Sequence, residues 1–203
     1  GGETNPSPCF VGKNADPKFK LSSYDSFSDE CLEEMSKRKT CSLNALDRLG
    51  ISRVIFNDLP CGKLDTEPLL SINKIIEKEI ATFKPDTVYT HWSDDSNLDH
   101  RKVHDATIIA TRPYNSFVKN VFCYEVLTST EWNFKKSFKP NLFHKLSEKN
   151  INDKCLAMAD YYTECKPWPY PRSSEGIRTL AKYRGMQSGN RYAEAFEVIR
   201  MNR

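Results

Sequence analysis

The sequence lacks a long hydrophobic run, and no apolar stretch approaches the ~20 residues that a membrane-spanning helix needs. It also lacks a strong excess of charge of one sign, since 30 basic and 27 acidic residues leave a net charge of +3. No basic run stands out, so the charge gives no argument for nucleic-acid binding. These absences predict a protein with no membrane span and no nucleic-acid partner.

The seven cysteines are odd in number and scattered, and none forms a Cys-x-x-Cys pair. Their spacing does not indicate a structural zinc site, and it favours reduced thiols over a disulfide framework. No secretory signal peptide is visible either, so we expect a cytoplasmic protein.

A chain of 203 residues can bury one sizeable core, and we interpret residues 1–203 as a single domain. Residues 1–28 are predicted to be a loop or extended segment. Beyond them, apolar periodicity predicts helices over 28–50, 68–84, 102–111, 147–165 and 173–183, and strands over 53–57, 87–90, 120–126 and 141–145. This alternation of helix and strand predicts an α/β protein with a mostly parallel sheet.

The most informative stretch is THWSDDSNLDHRKVHD, residues 90–105, which follows a predicted strand and leads into a helix. Ligands bind at such junctions in α/β sheets. His100 and His104 have the spacing of a zincin metalloprotease, but Arg101 occupies the position that must be Glu in that class. At this junction His100 can point into the cleft, with Asp99 beside it to orient neighbouring groups, which is compatible with a metal site. Such side chains are also common as caps and surface groups, so spacing alone leaves both interpretations open.

The pattern His91-x-x-x-Asp95-x-Asn97-x-Asp99-His100-Arg101 resembles the downstream motif of the PIG-L/LmbE family of metal-dependent N-deacetylases. The resemblance covers residues 29–200. It includes Lys63-Leu64-Asp65 before the motif, and Pro169-x-Pro-Arg-Ser173, Ala181-x-Tyr-Arg-Gly185 and Tyr192-Ala-Glu-Ala-Phe196 after it. It implies a Rossmann-like three-layer α/β fold and a hydrolase that removes an N-acetyl group from an amino sugar or glycoconjugate.

The same resemblance implies residue roles. His100 would bind a divalent metal, usually zinc, while Asp99 would organise its surroundings and Asn97 would assist the oxyanion. The candidates for substrate binding are Asp95, Arg101, Trp132 and Arg172. Residue chemistry alone leaves structural alternatives open, namely a salt bridge for Arg101, packing for Trp132 and closure of the fold for Arg172.

The sequence departs from the family in lacking a His-Pro-Asp-Asp motif, which in the family supplies two further metal ligands and the general base. By comparison with the family, we expect that its first strands, about forty to fifty positions, are missing from this sequence. Three interpretations stay open. The chain is a piece of an active deacetylase, or a degenerate member that acts as a carbohydrate-binding or scaffold protein, or one half of an enzyme completed by a separate polypeptide. The expected ligand is a small molecule or glycoconjugate, and a homo-oligomer is compatible with the sequence.

Overall fold

The computed structural model describes residues 29–57 and 59–202. In this part of the chain, helices and strands follow one another in the order α1 (Asp29–Arg48), α2 (Leu69–Phe83), β1 (Thr87–His91), α3 (Leu98–Ala110), β2 (Asn120–Tyr124), β3 (Leu142–Lys145), α4 (Glu148–Ala159), α5 (Ser174–Ser188) and β4 (Ala193–Met201). The predicted α/β character is confirmed. The expectation for residues 1–28 lies outside the described residues.

The four strands form one mixed sheet in the order β1-β2-β4-β3. Strands β1 and β2 are parallel, whereas β4 is antiparallel to both of its neighbours. The prediction of a mostly parallel sheet is therefore wrong. The error arises at β4, a strand that was not predicted from the sequence and that lies between β2 and β3 in the sheet. The direction of a strand depends on which strand it pairs with, and helix–strand alternation does not specify that pairing.

Residues 53–57, predicted as a strand, have no regular secondary structure and pair with none of the four described strands. Two of their apolar side chains remain in contact with water, since Ile55 is 46% exposed and Phe56 38%. A run of β-forming residues becomes a strand only where a neighbouring strand supplies hydrogen-bond partners. This prediction is therefore wrong, although the local composition favours a strand.

Local capping signals set several helix boundaries. Helix α3 begins after Asn97, whose side chain accepts a hydrogen bond from the Asp99 backbone N–H at 2.9 Å. Ser173 caps α5 in the same way, accepting from the Gly176 N–H at 3.0 Å. After α1, Gly50 adopts a φ of +74°, a left-handed conformation that glycine tolerates and that ends helices.

Helices pack on both faces of the sheet. On one face, α2 and α3 enclose a core formed by Ile80, Ala110, Val118 and Val121. On the other, α4 and α5 enclose a core formed by Ile151, Cys155, Ile177, Ala181 and Tyr192. Side chains alternate along β1, so Thr90 points to α3, where its hydroxyl lies 3.3 Å from that of Thr107. No helix in the described part of the chain is long and apolar enough to cross a bilayer.

Candidate functional site

The candidate site lies where the parallel strands β1 and β2 end and helix α3 begins. His91 is the last residue of β1 and is in register with Tyr124, the last residue of β2. His100 lies in the first turn of α3. The structure thus places the polar stretch at the carboxyl edge of two parallel strands, which is where α/β proteins bind ligands.

Asp95 is the centre of hydrogen bonding in this site. Its side chain is fully buried, and it accepts hydrogen bonds from the Asn97 backbone N–H at 2.8 Å, the Thr130 hydroxyl at 2.6 Å and the Ser129 hydroxyl at 3.1 Å. A fourth partner is His100, whose Nδ1 lies 3.1 Å from Oδ1. These four hydrogen-bond partners hold the Asp95 carboxylate in a single orientation.

The same contacts decide the charge of Asp95. Burial by itself raises the pKa of this carboxyl, but the hydrogen bonds from His100, Thr130, Asn97 and Ser129 outweigh burial and lower the pKa to about 2. Asp95 is therefore ionised at neutral pH and favours the proton of His100 on Nδ1. The lone pair of the neutral ring is then on Nε2, which has no hydrogen-bond partner among the described residues.

His91 forms a wall of the site beside His100. The two rings are stacked, with centroids 4.1 Å apart and planes inclined by 18°. Burial, followed by repulsion from His100, lowers the pKa of His91 to about 4, so this ring is neutral at neutral pH. Its Nε2 lies 3.2 Å from the Tyr124 hydroxyl, while its buried Nδ1 has no partner among the described residues. The stack restricts rotation of the His100 ring.

Asp99 fixes the loop that precedes α2. Its carboxylate accepts hydrogen bonds from the backbone N–H groups of Gly62 and Leu64, the latter at 3.0 Å. The position of this side chain links the motif at the start of α3 to the Lys63-Leu64-Asp65 segment. The residue bonded to the His100 ring in this structure is Asp95, not Asp99.

Asn97 and Arg101 contact the turn that contains Asp95. The Oδ1 of Asn97 is occupied by the α3 cap, and its amide nitrogen points to no described partner. Arg101 donates from Nη1 to the carbonyl oxygens of Asp95, at 2.6 Å, and Ser96, at 3.1 Å. Arg101 therefore stabilises the turn by hydrogen bonds to backbone carbonyls, and no ion pair of Arg101 is present in the described part.

Trp132 lies in the segment that follows β2, and Arg172 in the segment that precedes α5. Trp132 ends a short 3-10 helix, Thr130–Trp132, and is 47% exposed. Arg172 donates from Nε to the Leu127 carbonyl at 3.1 Å and forms an ion pair with Glu164 at 2.6 Å. It lines a largely apolar cleft of about 680 Å³ that extends from the sheet to α1, α4 and α5. Neither side chain bonds to Asp95 or His100.

Two further residues of the site, Ser129 and Thr130, were missed from the sequence. They carry the hydroxyl groups that hold Asp95, although they are 34 and 35 residues away from it in the chain. The available signal was their position a few residues after β2, because the carboxyl ends of adjacent parallel strands meet at one edge of a sheet.

The described residues do not make a complete metal site. In residues 29–57 and 59–202, no group of three or more His, Cys, Asp or Glu side chains could hold a metal ion. Zinc sites in proteins have four ligands, of which at least three come from the protein. The Nε2 atom of His100 is one oriented nitrogen donor, so the described residues alone do not fit a bound zinc ion.

The fold is similar to several solved structures at low sequence identity. N,N'-diacetylchitobiose deacetylase from Pyrococcus horikoshii is 18% identical, with a TM-score of 0.65 over 87% of this chain and 68% of that chain. A conserved protein from Thermus thermophilus is 18% identical, with a TM-score of 0.63 over 80% and 72%. The zinc-inhibited form of a teicoplanin deacetylase is 18% identical, with a TM-score of 0.59 over 83% and 76%. At these identities, the likeness shows a shared fold.

Sequence comparison at the family level is more specific. No curated protein matches the chain at a significant level. The profile of the family described as PIG-L: GlcNAc-PI de-N-acetylase matches residues 9–111, just over half of the chain, and this range includes β1, the Asp95–His100 pair and α3. The chain belongs to the PIG-L family.

Proposed function

We propose that this chain is part of a hydrolase that removes the acetyl group from the nitrogen of an amino sugar or glycoconjugate with the help of a divalent metal ion, zinc being the first candidate. The observation that carries the proposal is the buried Asp95 carboxylate, 3.1 Å from the Nδ1 of His100, in a chain of the PIG-L family. A carboxylate that orients the second nitrogen of an imidazole is the usual partner of a metal-binding histidine.

The described residues prepare His100 for this role. Asp95 favours the proton on Nδ1, which leaves the lone pair of the neutral ring on Nε2, where it is available to an electrophile or metal. Thr130 and Ser129 hold Asp95, and the His91 ring restrains His100 from one side. We therefore assign to Asp95 the positioning of His100, because its complete burial leaves no surface for a substrate.

Among the described residues, we assign only His100 as a metal ligand. The remaining ligands would come from outside the described residues. The solved structures of this fold include the zinc-inhibited form of a teicoplanin deacetylase, so at least one protein of this fold interacts with a divalent metal ion. The described residues do not complete the metal site by themselves.

Other residues near the site are assigned to the substrate. The amide nitrogen of Asn97 has no described partner, so it could donate a hydrogen bond to the oxyanion that forms on the carbonyl group. The half-exposed indole of Trp132 offers an apolar face to a sugar ring. Arg101 and Arg172 would bind polar substituents with the N–H groups that their backbone contacts leave available.

Asp99 is assigned an indirect role. Its carboxylate binds the 62–64 backbone, and so it fixes the start of α3, from which His100 projects. We therefore propose that Asp99 organises the surroundings of the metal ligand indirectly, through the backbone that its carboxylate binds.

One observation favours a second candidate function. The described residues contain no complete group of metal ligands, as expected for a degenerate member that binds carbohydrate without cleaving it. This alternative predicts that the chain binds an N-acetylated sugar and releases no acetate.

An assay of acetate release from N-acetylglucosamine and N,N'-diacetylchitobiose, combined with metal analysis of the purified protein, separates the two functions. We expect His100→Ala to lose both bound zinc and activity. His144→Ala is the matched control, because His144 is exposed on β3 and distant from the site in the sheet order. Unchanged zinc content in His100→Ala would reject the metal role, and sugar binding without acetate release by the wild-type protein would favour the second function.

A further inference from the structure

The orientation of the His100 ring depends on a contact along one edge and a contact across one face. Along the edge, Nδ1 lies 3.1 Å from Oδ1 of Asp95. A hydrogen bond at one atom still allows the ring to tilt about that bond. Across the face, His91 is stacked at a centroid distance of 4.1 Å with the planes inclined by 18°, and this contact opposes the tilt. The plane of the His100 ring therefore depends on the position of His91.

His91 has a single hydrogen-bond partner among the described residues, the hydroxyl group of Tyr124. The hydroxyl oxygen lies 3.2 Å from Nε2 of His91, and the two rings are in tilted contact with centroids 5.0 Å apart. The other ring nitrogen, Nδ1, is buried without a partner in the described part of the chain. Loss of the Tyr124 hydroxyl would therefore leave neither nitrogen of His91 with a described partner.

The Tyr124 hydroxyl is the donor in this hydrogen bond. A phenol is a stronger acid than the N–H group of a neutral imidazole, and an imidazole nitrogen is a stronger acceptor than a phenol oxygen. Burial raises the pKa of Tyr124 to about 12, so the hydroxyl keeps its proton at neutral pH. The lone pair of the neutral His91 ring is therefore on Nε2, and its proton is on Nδ1.

Tyr124 is more firmly placed in the sheet than His91. It is the last residue of β2, which pairs with β1 on one side and with β4 on the other. His91 is the last residue of β1, which among the described strands pairs with β2 alone. The residue after Tyr124, Glu125, also accepts two hydrogen bonds from Arg184, at 2.7 and 2.6 Å. An interior strand thus supplies the fixed hydroxyl group to a ring on a less constrained strand.

We propose that Tyr124 is a positioning residue for His100 and acts through His91. The Tyr124 hydroxyl fixes the tautomer and the orientation of the His91 ring, and the stacked His91 ring fixes the plane of His100. Among the described residues, this hydroxyl bonds only to His91, so its influence on His100 passes through that ring. The inference deepens the proposed function and rests on it for the use of the His100 lone pair, whereas the link from Tyr124 to His100 does not.

Tyr124→Phe removes the hydroxyl and keeps the aromatic ring. We expect the ¹⁵N resonances of His91 to shift, because Nε2 loses its donor and the two tautomers become more equally populated. The ¹⁵N resonances of His100 should also shift, because the ring stacked on it is reoriented. Nitrogen NMR of the metal-free protein measures both, with His144 as the internal reference. In protein that releases acetate, kcat should fall about tenfold at unchanged KM, the low end of the effect of indirect partners of a metal-binding histidine.

Tyr89→Phe is the matched control. Tyr89 lies two positions before His91 on β1, its ring contacts Phe122 and Phe196, and its hydroxyl has no hydrogen bond to another described residue. The same atom is therefore removed from the same type of residue without loss of a described hydrogen bond. The resonances of His91 and His100 in this variant should match those of the wild type.

His91→Phe tests whether Tyr124 acts through His91, since it keeps an aromatic ring beside His100 and removes the acceptor. In this background, Tyr124→Phe should cause no further shift at His100. A full shift in this background would overturn the proposal. Unchanged His100 resonances in Tyr124→Phe, an equal shift in Tyr89→Phe, or a wild-type His91 protonated on Nε2 would also overturn it. The resonances are measured without metal or substrate, so a failure of the positioning role is distinguishable from a failure of the proposed activity.

Discussion

Thr130 and His100 contact opposite oxygens of one carboxylate: the threonine hydroxyl lies 2.6 Å from Oδ2 of Asp95 and the imidazole Nδ1 3.1 Å from Oδ1. The segment after β2 is therefore connected to the first turn of α3 through a single buried group. A change in the hydrogen bonds that orient Asp95 should consequently change the environment of the His100 ring.

Thr130→Val tests the hydrogen bond from the Thr130 hydroxyl to Asp95. The substitution keeps the shape of the side chain but leaves the buried carboxylate without one donor, so we expect the free energy of unfolding to fall by about 1–3 kcal/mol. Thr130→Ser retains the hydroxyl and should lose less. Urea unfolding followed by circular dichroism measures both variants, and equal stability of the valine and serine variants would contradict the assignment.

Asp95→Asn tests the orientation of His100. An amide lacks the negative charge that favours the proton on Nδ1, so the two tautomers of the ring should become more equally populated. The ¹⁵N chemical shifts of the imidazole report this change in metal-free protein, with His144 as an internal control. In protein that binds zinc, the affinity of the Asp95→Asn variant for zinc should be about 10- to 100-fold lower than that of the wild type. Shifts of His100 identical to those of the wild type would show that Asp95 does not set the tautomer.

Arg184→Met tests a buried ion pair behind the site. Arg184 and Glu125 form two hydrogen bonds, at 2.7 and 2.6 Å, and their side chains are only 8% and 15% exposed. Loss of the guanidinium leaves a buried carboxylate without its partner, which should cost about 3–5 kcal/mol of unfolding free energy.

The control for this experiment is Arg178→Met, which removes the ion pair with Glu148 on the surface. Since those side chains are 31% and 47% exposed, the loss should stay below about 1 kcal/mol. If denaturant unfolding gives the same loss for both arginine variants, the pair of Arg184 contributes no more than a surface pair.

Gly185→Ala tests close packing between α5 and the chain that follows it. A Cβ atom at this position would lie 2.6 Å from the Asn190 carbonyl oxygen and 2.8 Å from the backbone of Arg191. Although alanine favours helices, this overlap should lower the unfolding free energy by about 1–3 kcal/mol. Thermal melting measures the effect, with Lys182→Ala on the same helix as the control. A melting temperature equal to that of the control would show that the turn can move aside.

The Cys123 thiol should be inert in the folded protein. Burial, with a smaller contribution from Glu197, raises its pKa to about 12, so the reactive thiolate is nearly absent at pH 8. Peptide mapping after brief treatment with iodoacetamide should find Cys123 unmodified in the native protein and modified after unfolding. The exposed Cys61 provides the comparison, and similar rates of alkylation at both positions in the native protein would contradict the prediction.

Much of the candidate site could be located from local sequence. The run of His and Asp after a β-forming segment indicated a strand-to-helix junction, and Asn97 carries the cap that starts α3 there. Capping and hydrophobic periodicity act over a few residues, so they can be read from neighbouring positions. His100 was predicted as the metal ligand from the resemblance of this local motif to the PIG-L/LmbE family, and its role stays a prediction.

The role proposed for Asp95 could not be read in this way. Local sequence offers Asp94, Asp95 and Asp99 as similar carboxylates near one histidine. The structure distinguishes them by burial and by hydrogen bonds from the hydroxyl groups of Ser129 and Thr130, two residues that follow β2 in the chain. Only the parallel pairing of β1 with β2 brings these hydroxyl groups to Asp95.

The sequence by itself determined the α/β character, most of the helices, membership in the PIG-L family and the position of the polar stretch along the chain. The tertiary structure alone decided that β4 runs antiparallel between β2 and β3, that residues 53–57 remain outside the sheet, and which carboxylate contacts His100. The physical reason is the range of the interactions. Helix caps and periodicity depend on adjacent residues, whereas strand pairing and the burial of a charge depend on groups that are distant in the chain and meet only after folding.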